Sequence, residues 1–217
     1  MAEPATFYDT HGVDFSKSRF RVWPQVREFL DALPHGAKVL DIGCGNGKNM
    51  LAARADLSVT GCEPSRTLCE ICAERGLNVV QGDARQLPFK DASFDAVIMI
   101  AVIHHIHPRE HNQPLFEIQR VLKPGGKALI TNWAVEQPVG ARRSFHVGLN
   151  LVSWKGKEME PLPYWVMDRE TAEAFVRSLP HELICESLVC VAGNWTFVIG
   201  RGGQSPPLKP PLDKYLN

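Results

Sequence analysis

No apolar run in this 217-residue chain approaches the ~20 residues that a membrane-spanning helix needs. Residues Met1 to Tyr8 lack the charged-then-apolar order of a secretory signal. The expectation is therefore a protein without a membrane. An excess of either charge is also lacking: Lys+Arg and Asp+Glu each total 24. A broad basic face that would hold nucleic acid by phosphate contacts alone is thus not apparent, and a nucleic-acid substrate would need a local patch or a partner. Cys69-x-x-Cys72 has redox or zinc spacing, but no second pair stands near it, so no metal site is expected. The other cysteines, Cys44, Cys62, Cys185 and Cys190, are scattered, which fits a reducing compartment such as the cytoplasm or nucleus. No internal repeat is present.

What is there is alternation. Strand-like and helix-like segments follow one another, the pattern of a parallel sheet covered on both faces. The expected order is a helix from Trp23 to Leu33, a strand Lys38–Ile42, and a glycine turn opening a helix to about Ala55. A second strand, Ser58–Cys62, leads to a helix Ser65–Arg75 and a third strand, Asn78–Gln81. Phe94–Ile100 is continuously apolar, as a strand buried on both faces should be. A helix Leu115–Leu122 stops at Lys123-Pro124-Gly125-Gly126, before a fifth strand Lys127–Trp133. Residues 134–167 break the rhythm and read as an insertion or lid, with residues 1–36 as an N-terminal substrate-side segment. A helix Asp168–Ser178 and two strands, Leu183–Val191 and Asn194–Gly200, complete one domain over residues 1–201. Ala192-Gly193 between those strands predicts an antiparallel hairpin. Residues 202–217 form a Pro/Gly-rich tail.

The chemistry concentrates at strand ends. Asp41-Ile42-Gly43-Cys44-Gly45-Asn46-Gly47 is a strand running into a turn whose glycines let a ligand lie against bare main chain. A dinucleotide fingerprint would place its third glycine where Lys48 stands. Asp41 would repel a pyrophosphate but suits an ammonium group. Glu63, ending the second strand, can accept both hydroxyls of a ribose, and Asp83, after the third, can accept a proton from an adenine amino group. Three acids in this order select S-adenosylmethionine as the cofactor. Its candidate contacts are Asp41, Gly43, Cys44, Gly45, Asn46, Gly47, Glu63, Pro64, Asp83, Ala84, Ile100 and Ala101.

From Val39 through Ile130 this pattern resembles the class I methyltransferases. The resemblance implies an α/β doubly wound, Rossmann-like domain with a seven-stranded, mostly parallel sheet and an antiparallel C-terminal hairpin. The segment after the fourth strand, Ile100-Ala101-Val102-Ile103-His104-His105, lacks the Asn/Asp-Pro-Pro-aromatic motif of enzymes that methylate exocyclic base amines. It also lacks a cysteine nucleophile for pyrimidine C5 chemistry.

Further segments are similar to a narrower family, the tRNA methyltransferases that esterify 5-carboxymethyluridine at the anticodon wobble position, including the domain fused to an AlkB-type hydroxylase. They are Tyr8 with Asp14-Phe15-Ser16-Lys17-Ser18-Arg19 and Trp23-Pro24, Trp133-Ala134-Val135-Glu136-Gln137, and Gly193-Asn194-Trp195. The family's Arg-aromatic-Tyr-His-x-Phe segment is replaced here by Leu162-Pro163-Tyr164-Trp165-Val166-Met167, which keeps the tyrosine and loses Arg and His. Either another arginine serves the substrate, with Arg142 and Arg143 as the candidates, or the substrate has changed.

A carboxylate acceptor is ionised at neutral pH, with a reference pKa near ~4, and needs no general base. An arginine fork suits holding it in a fixed plane. The catalytic candidates are Arg19 as that clamp, His105 lining the methyl site and His104 contacting substrate. Arg21, Trp133, Arg142, Arg143 and Asn194 are the substrate-side candidates. The resemblance implies tRNA (the anticodon loop) as substrate, and a small zinc-binding activator protein joining the sheet edge near the third strand. Two alternatives stand beside this reading: a small-molecule O- or C-methyltransferase of quinone or lipid type, and a catalytically silent cofactor-binding scaffold.

Overall fold

The computed structural model describes residues 4–153 and 161–202. Seven strands form one sheet: β1 (Lys38–Ile42), β2 (Ser58–Glu63), β3 (Val79–Gln81), β4 (Phe94–Ile100), β5 (Leu122–Trp133), β8 (Leu183–Val191) and β9 (Asn194–Arg201). Their order across the sheet is β3-β2-β1-β4-β5-β9-β8. The first five are parallel, and β9 enters antiparallel to β5 with β8 outside it. The helices are α1 (Pro4–Ser18), α2 (Pro24–Asp31), α3 (Lys48–Leu51), α4 (Arg66–Glu74), α5 (Asn112–Val121) and α6 (Arg169–Arg177).

Because side chains alternate along a strand, β1 and β4 feed two separate cores. Val39, Ala96 and Ile98 face α2, whose Val26, Phe29 and Leu30 recur at helical spacing and are buried. Leu40, Val97 and Met99 face the other way, against Leu115 and Ile118 of α5 and Phe175 of α6. A strand buried on both faces has no room for a polar side chain, hence the apolar run of β4. Helix α2 starts with Pro24 in its first turn, where a missing N–H costs nothing. Helix α6 starts with a capping box in which Asp168 and Thr171 satisfy each other's backbone N–H.

Four expectations need correction. Residues 4–18 form a helix that sequence patterning does not announce. Phe7 and Gly12 are the buried positions of α1, too few for an apolar stripe. Packing holds α1 instead: a Cβ at Gly12 would lie 3.0 Å from a Thr67 methyl, so the missing side chain lets α1 lie against α4. The helix after the glycine turn ends at Leu51, short of Ala55. The fifth strand begins at Leu122, because the Pro124-Gly125-Gly126 stop continues as extended chain beside β4. Finally, the insertion contains an antiparallel hairpin of β6 (Gly148–Val152) and β7 (Leu162–Val166). Leu162, Tyr164 and Val166 of β7 alternate inward against Phe7 of α1, which gives the hairpin a core of its own. Residues 154–160 of the insertion and 203–217 of the expected tail lie outside the described residues.

The β8–β9 hairpin turns through Ala192 (φ 47°) and Gly193 (φ 77°), so both central residues are left-handed. A two-residue turn of that hand matches the twist of the strands it joins.

Candidate active site

The carboxyl ends of β1, β2, β3 and β4 open into one cavity of about 740 Å³. Gly43, Cys44, Gly45, Asn46, Glu63, Pro64, Asp83, Ala84, Ile100 and Ala101 line it, as the sequence reading expected of cofactor contacts. Asp41 and Gly47 do not. Gly43 turns at φ 65°, and a Cβ there would lie 2.4 Å from a Val102 methyl, so only glycine fits. Ala101, at φ 57°, is a strained non-glycine residue at the end of β4, and its N–H donates to Thr131 Oγ1 at 2.9 Å.

Glu63 is buried, and its two oxygens accept the backbone N–H groups of Gly45 (2.9 Å) and Ser65 (3.0 Å). Burial pushes its carboxyl up to about 7 against the pull of those bonds. Asp41 is 1% exposed and neither of its oxygens has a hydrogen-bond partner. Its carboxyl is likewise pushed up to about 7 by burial, opposed by Asn49 and by the Lys48 ammonium. A buried carboxylate that meets only the weak pull of Asn49 and Lys48, set behind a turn of bare main chain, is short of positive charge. The ammonium and sulfonium of S-adenosylmethionine supply two such charges, so the residues present fit that cofactor. Cys72 Sγ donates to Gly45 O (3.2 Å) and Cys69 Sγ to Glu63 O (3.3 Å), so both thiols brace this turn. Asp83 reaches the cavity, but Arg85 already holds its carboxylate (2.7 Å) and keeps its pKa low. Arg85 also bridges to Glu110 at 3.1 Å, which the sequence reading did not anticipate.

The far wall of the cavity is aromatic. The rings of His104 and Tyr164 stack at 4.6 Å and 24°, and Trp133 lies 4.4 Å from Tyr164 and 5.3 Å from His104. His105 Nδ1–H donates to Pro163 O (3.2 Å), which leaves Nε2 to accept from Tyr8 O–H at 3.3 Å. Burial lowers both histidines, His105 to about 4 and His104 well below the ordinary value. Both are neutral at physiological pH, and neither is a ready proton donor there.

Arg19 and Arg21 stand at the mouth, on the exposed stretch between α1 and α2. Asn46, in the cofactor turn, donates Nδ2–H to Arg19 O (2.7 Å) and Ser16 O (3.2 Å), while Arg75 donates to Ser16 Oγ (2.9 Å). Asp9 accepts from Ser65 Oγ–H at 2.8 Å. Helix α1 and the arginine loop are thus tied to the elements that carry the cofactor acids.

Three expected substrate contacts lie elsewhere. Arg142 and Arg143 are exposed and do not line the cavity; Arg143 donates to Ser153 O at 3.1 Å. Asn194 is buried opposite Trp133 at the start of β9, with its Nδ2–H on Ala192 O (3.1 Å). Gln137 Nε2–H bridges Ala134 O (2.7 Å) and Gly193 O (3.0 Å). The Trp-Ala-Val-Glu-Gln and Gly-Asn-Trp segments therefore meet each other and splice the insertion to the hairpin. Only Trp133 of the two turns a side chain to the cavity.

Sequence reading gave no site role to Tyr8, to the stacking of Tyr164, or to Lys48, whose ammonium lies 5.7 Å from the Trp23 ring and is half-buried in the cavity wall. The only hint of Lys48 was its place directly after the glycine turn.

The profile of the family described as "Methyltransferase domain" matches residues 40–130. Fold, glycine turn and this match together show a class I S-adenosylmethionine-dependent methyltransferase domain in this chain. Within that class it is a sequence relative of the tRNA carboxymethyluridine methyltransferases. The protein named tRNA (carboxymethyluridine(34)-5-O)-methyltransferase ALKBH8 from Macaca fascicularis is 44% identical over 70% of this chain and 23% of its own length. The Saccharomyces cerevisiae protein named tRNA (carboxymethyluridine(34)-5-O)-methyltransferase is 35% identical over 80% of this chain and 60% of its own. The chain thus spans less than two thirds of these relatives. The fold is shared with the structure described as a complex between the Haloferax volcanii Trm112 methyltransferase activator and a methyltransferase, at TM-score 0.66, 19% identity, and coverage of 94% of this chain and 100% of that one.

Proposed function

We propose that this enzyme methylates the carboxylate of 5-carboxymethyluridine at the wobble position of tRNA, forming the methyl ester. One observation carries the reading. The cavity runs without a break from the cofactor turn to an aromatic wall with two neutral histidines, and its mouth holds Arg19 and Arg21. Histidines held below their ordinary pKa are weak bases, which suits an acceptor that is ionised already, as a carboxylate is at neutral pH. Arginine at the mouth suits a carboxylate or a phosphate. The names of the relatives point the same way.

Gly43, Gly45 and Glu63 would hold S-adenosylmethionine, with Asp41 supplying negative charge behind the turn. Bound there, the cofactor supplies an electrophilic methyl group. The residues of this chain do the rest by placement. Arg19 holds the carboxylate in plane. The His104–Tyr164–Trp133 stack carries the uracil and excludes water. His105, pinned between Pro163 and Tyr8, keeps the methyl site shaped and uncharged. An acceptor that is ionised already would need no proton removed, so no side chain of this site has to act as a base. Holding reactants so can contribute roughly 7–11 kcal/mol of the barrier reduction.

A small zinc-binding activator at β3 belongs to this proposal. The strand has three residues and, among the described residues, pairs on one side only, with β2, which leaves an outer edge that a partner strand could extend. Co-expression should then raise solubility and activity.

The test is incubation of the full chain, with and without the activator, with methyl-labelled cofactor and tRNA lacking the ester, followed by mild alkali. Label in tRNA that leaves as methanol supports the ester. No incorporation with both present moves the reading to a small-molecule acceptor, which the mostly aromatic wall would also accommodate.

A further inference from the structure

The loop that carries Arg19 and Arg21 presents Phe20 between them. Its ring is 72% exposed, yet it lines the mouth of the cavity. The backbone beneath it is held: Arg19 O accepts from Asn46, Arg19 N–H donates to Ser16 O, and Val22 and Trp23 pack into the α2 core. Folding therefore gains little from this ring, and the loop could not easily turn it inward. What sets this exposed ring apart is its place at the cavity mouth on a fixed loop between two arginines. The Arg21 guanidinium lies 6.0 Å from the ring centroid, and the Arg19 guanidinium stands 5.8 Å from the Phe15 ring just inside. Ring and flanking cations together have the make-up of a single-strand nucleic-acid contact, in which a base stacks on the ring and arginines take the neighbouring phosphates.

Resting on the proposed function above, we infer that Phe20 is the platform on which a base flanking the reacting nucleotide stacks, and so a determinant of specificity for RNA over a free nucleoside. The occupant is a splayed single-stranded loop. The reacting uracil enters against Trp133 and Tyr164, its neighbour stays at the mouth on Phe20, and the phosphates between them meet Arg19 and Arg21. A duplex would keep both bases in its own stack and leave the ring unused.

The experiment uses the full chain, co-expressed with the activator, and an anticodon stem-loop RNA carrying 5-carboxymethyluridine. Phe20→Ala should raise KM for this RNA about 5- to 150-fold, the range for loss of one base–aromatic stack. The Kd for S-adenosylhomocysteine and the melting temperature should stay as in the wild type. Phe20→Trp should keep the wild-type KM, and its fluorescence should fall on RNA binding, whereas Phe20→Leu should behave like alanine. Two further RNAs, abasic at the 5′ or the 3′ neighbour, complete a double-mutant cycle: on one of them wild type and Phe20→Ala should coincide.

If Phe20→Ala keeps the wild-type KM, if leucine serves as well as tryptophan, or if the loss is the same on both abasic RNAs, the stacking role is overturned while the methyltransferase reading stands. If the wild type labels no RNA at all, the proposed function itself fails, and this inference with it.

Discussion

Asp41 and Glu63 make a prediction in which cofactor affinity and protein stability move in opposite directions with pH. Each carboxyl is pushed up to about 7 by burial, from ordinary values of 3.8 and 4.5. Without ligand, each is therefore partly protonated at neutral pH. A cationic cofactor requires the ionised form, so its binding constant should fall about tenfold between about pH 8 and about pH 6 if one carboxyl governs it. The fall should approach about a hundredfold if both do. Near pH 7 binding should release about half a proton per carboxyl, read as a buffer-dependent heat in calorimetry with S-adenosylmethionine or S-adenosylhomocysteine. Stability of the free protein runs the other way. A folded state with a raised carboxyl pKa holds a proton that the unfolded chain gives up. Its advantage is full below about pH 4 and is lost as pH rises through about 7. For Asp41 the rise of about three units sets a ceiling of roughly 4 kcal/mol. Asp41→Asn should thus weaken cofactor binding and flatten its pH dependence, while the ligand-free variant melts no lower than the wild type at about pH 8. An affinity that is flat from about pH 6 to about pH 8 without proton release, or an Asn variant that melts well below the wild type, would refute the reasoning.

The remaining predictions are simpler. Arg19→Ala should abolish methyl transfer with cofactor affinity near normal; wild-type turnover in a label-incorporation assay would remove the clamp. Asn46→Ala breaks the bonds to Ser16 O and Arg19 O and should raise KM for the acceptor more than it lowers kcat, measured by steady-state kinetics. Ala192, exposed at φ 47°, should gain from Asn, which tolerates that conformation. Ala192→Asn should stabilise by about 0.5–1 kcal/mol and raise the melting temperature by roughly 1–4 °C in a thermal scan, with activity unchanged.

Local pattern was enough wherever one strand or one turn carried the message. The apolar run of β4 coincides with Phe94–Ile100 as read. Asp168 reads as the start of α6 and is its N-cap, and Ala192-Gly193 reads as the hairpin turn that it forms. The order of glycine turn, Glu63 and Asp83 likewise marked strand ends that line one cavity. The missed elements owe their form to distant contacts. Helix α1 has no amphipathic stripe and exists because Gly12 fits against Thr67. Asn194 reads as a substrate contact, yet it is buried with its amide on Ala192 O, and Gln137 Nε2–H joins the insertion to the hairpin turn at Gly193 O.

What this sequence determined by itself is the frame: a doubly wound sheet, a glycine turn and acids at the carboxyl ends. Those features repeat along the chain with periods that local sterics and burial impose. The tertiary structure alone decided which side chains share the cavity. It brought Tyr8 to His105 and Tyr164 to His104, kept Arg142 and Arg143 off the cavity wall, and left the buried Asp41 carboxylate only the weak pull of Asn49 and Lys48. Burial and charge balance at a point depend on everything that surrounds it, and no stretch of sequence carries that sum.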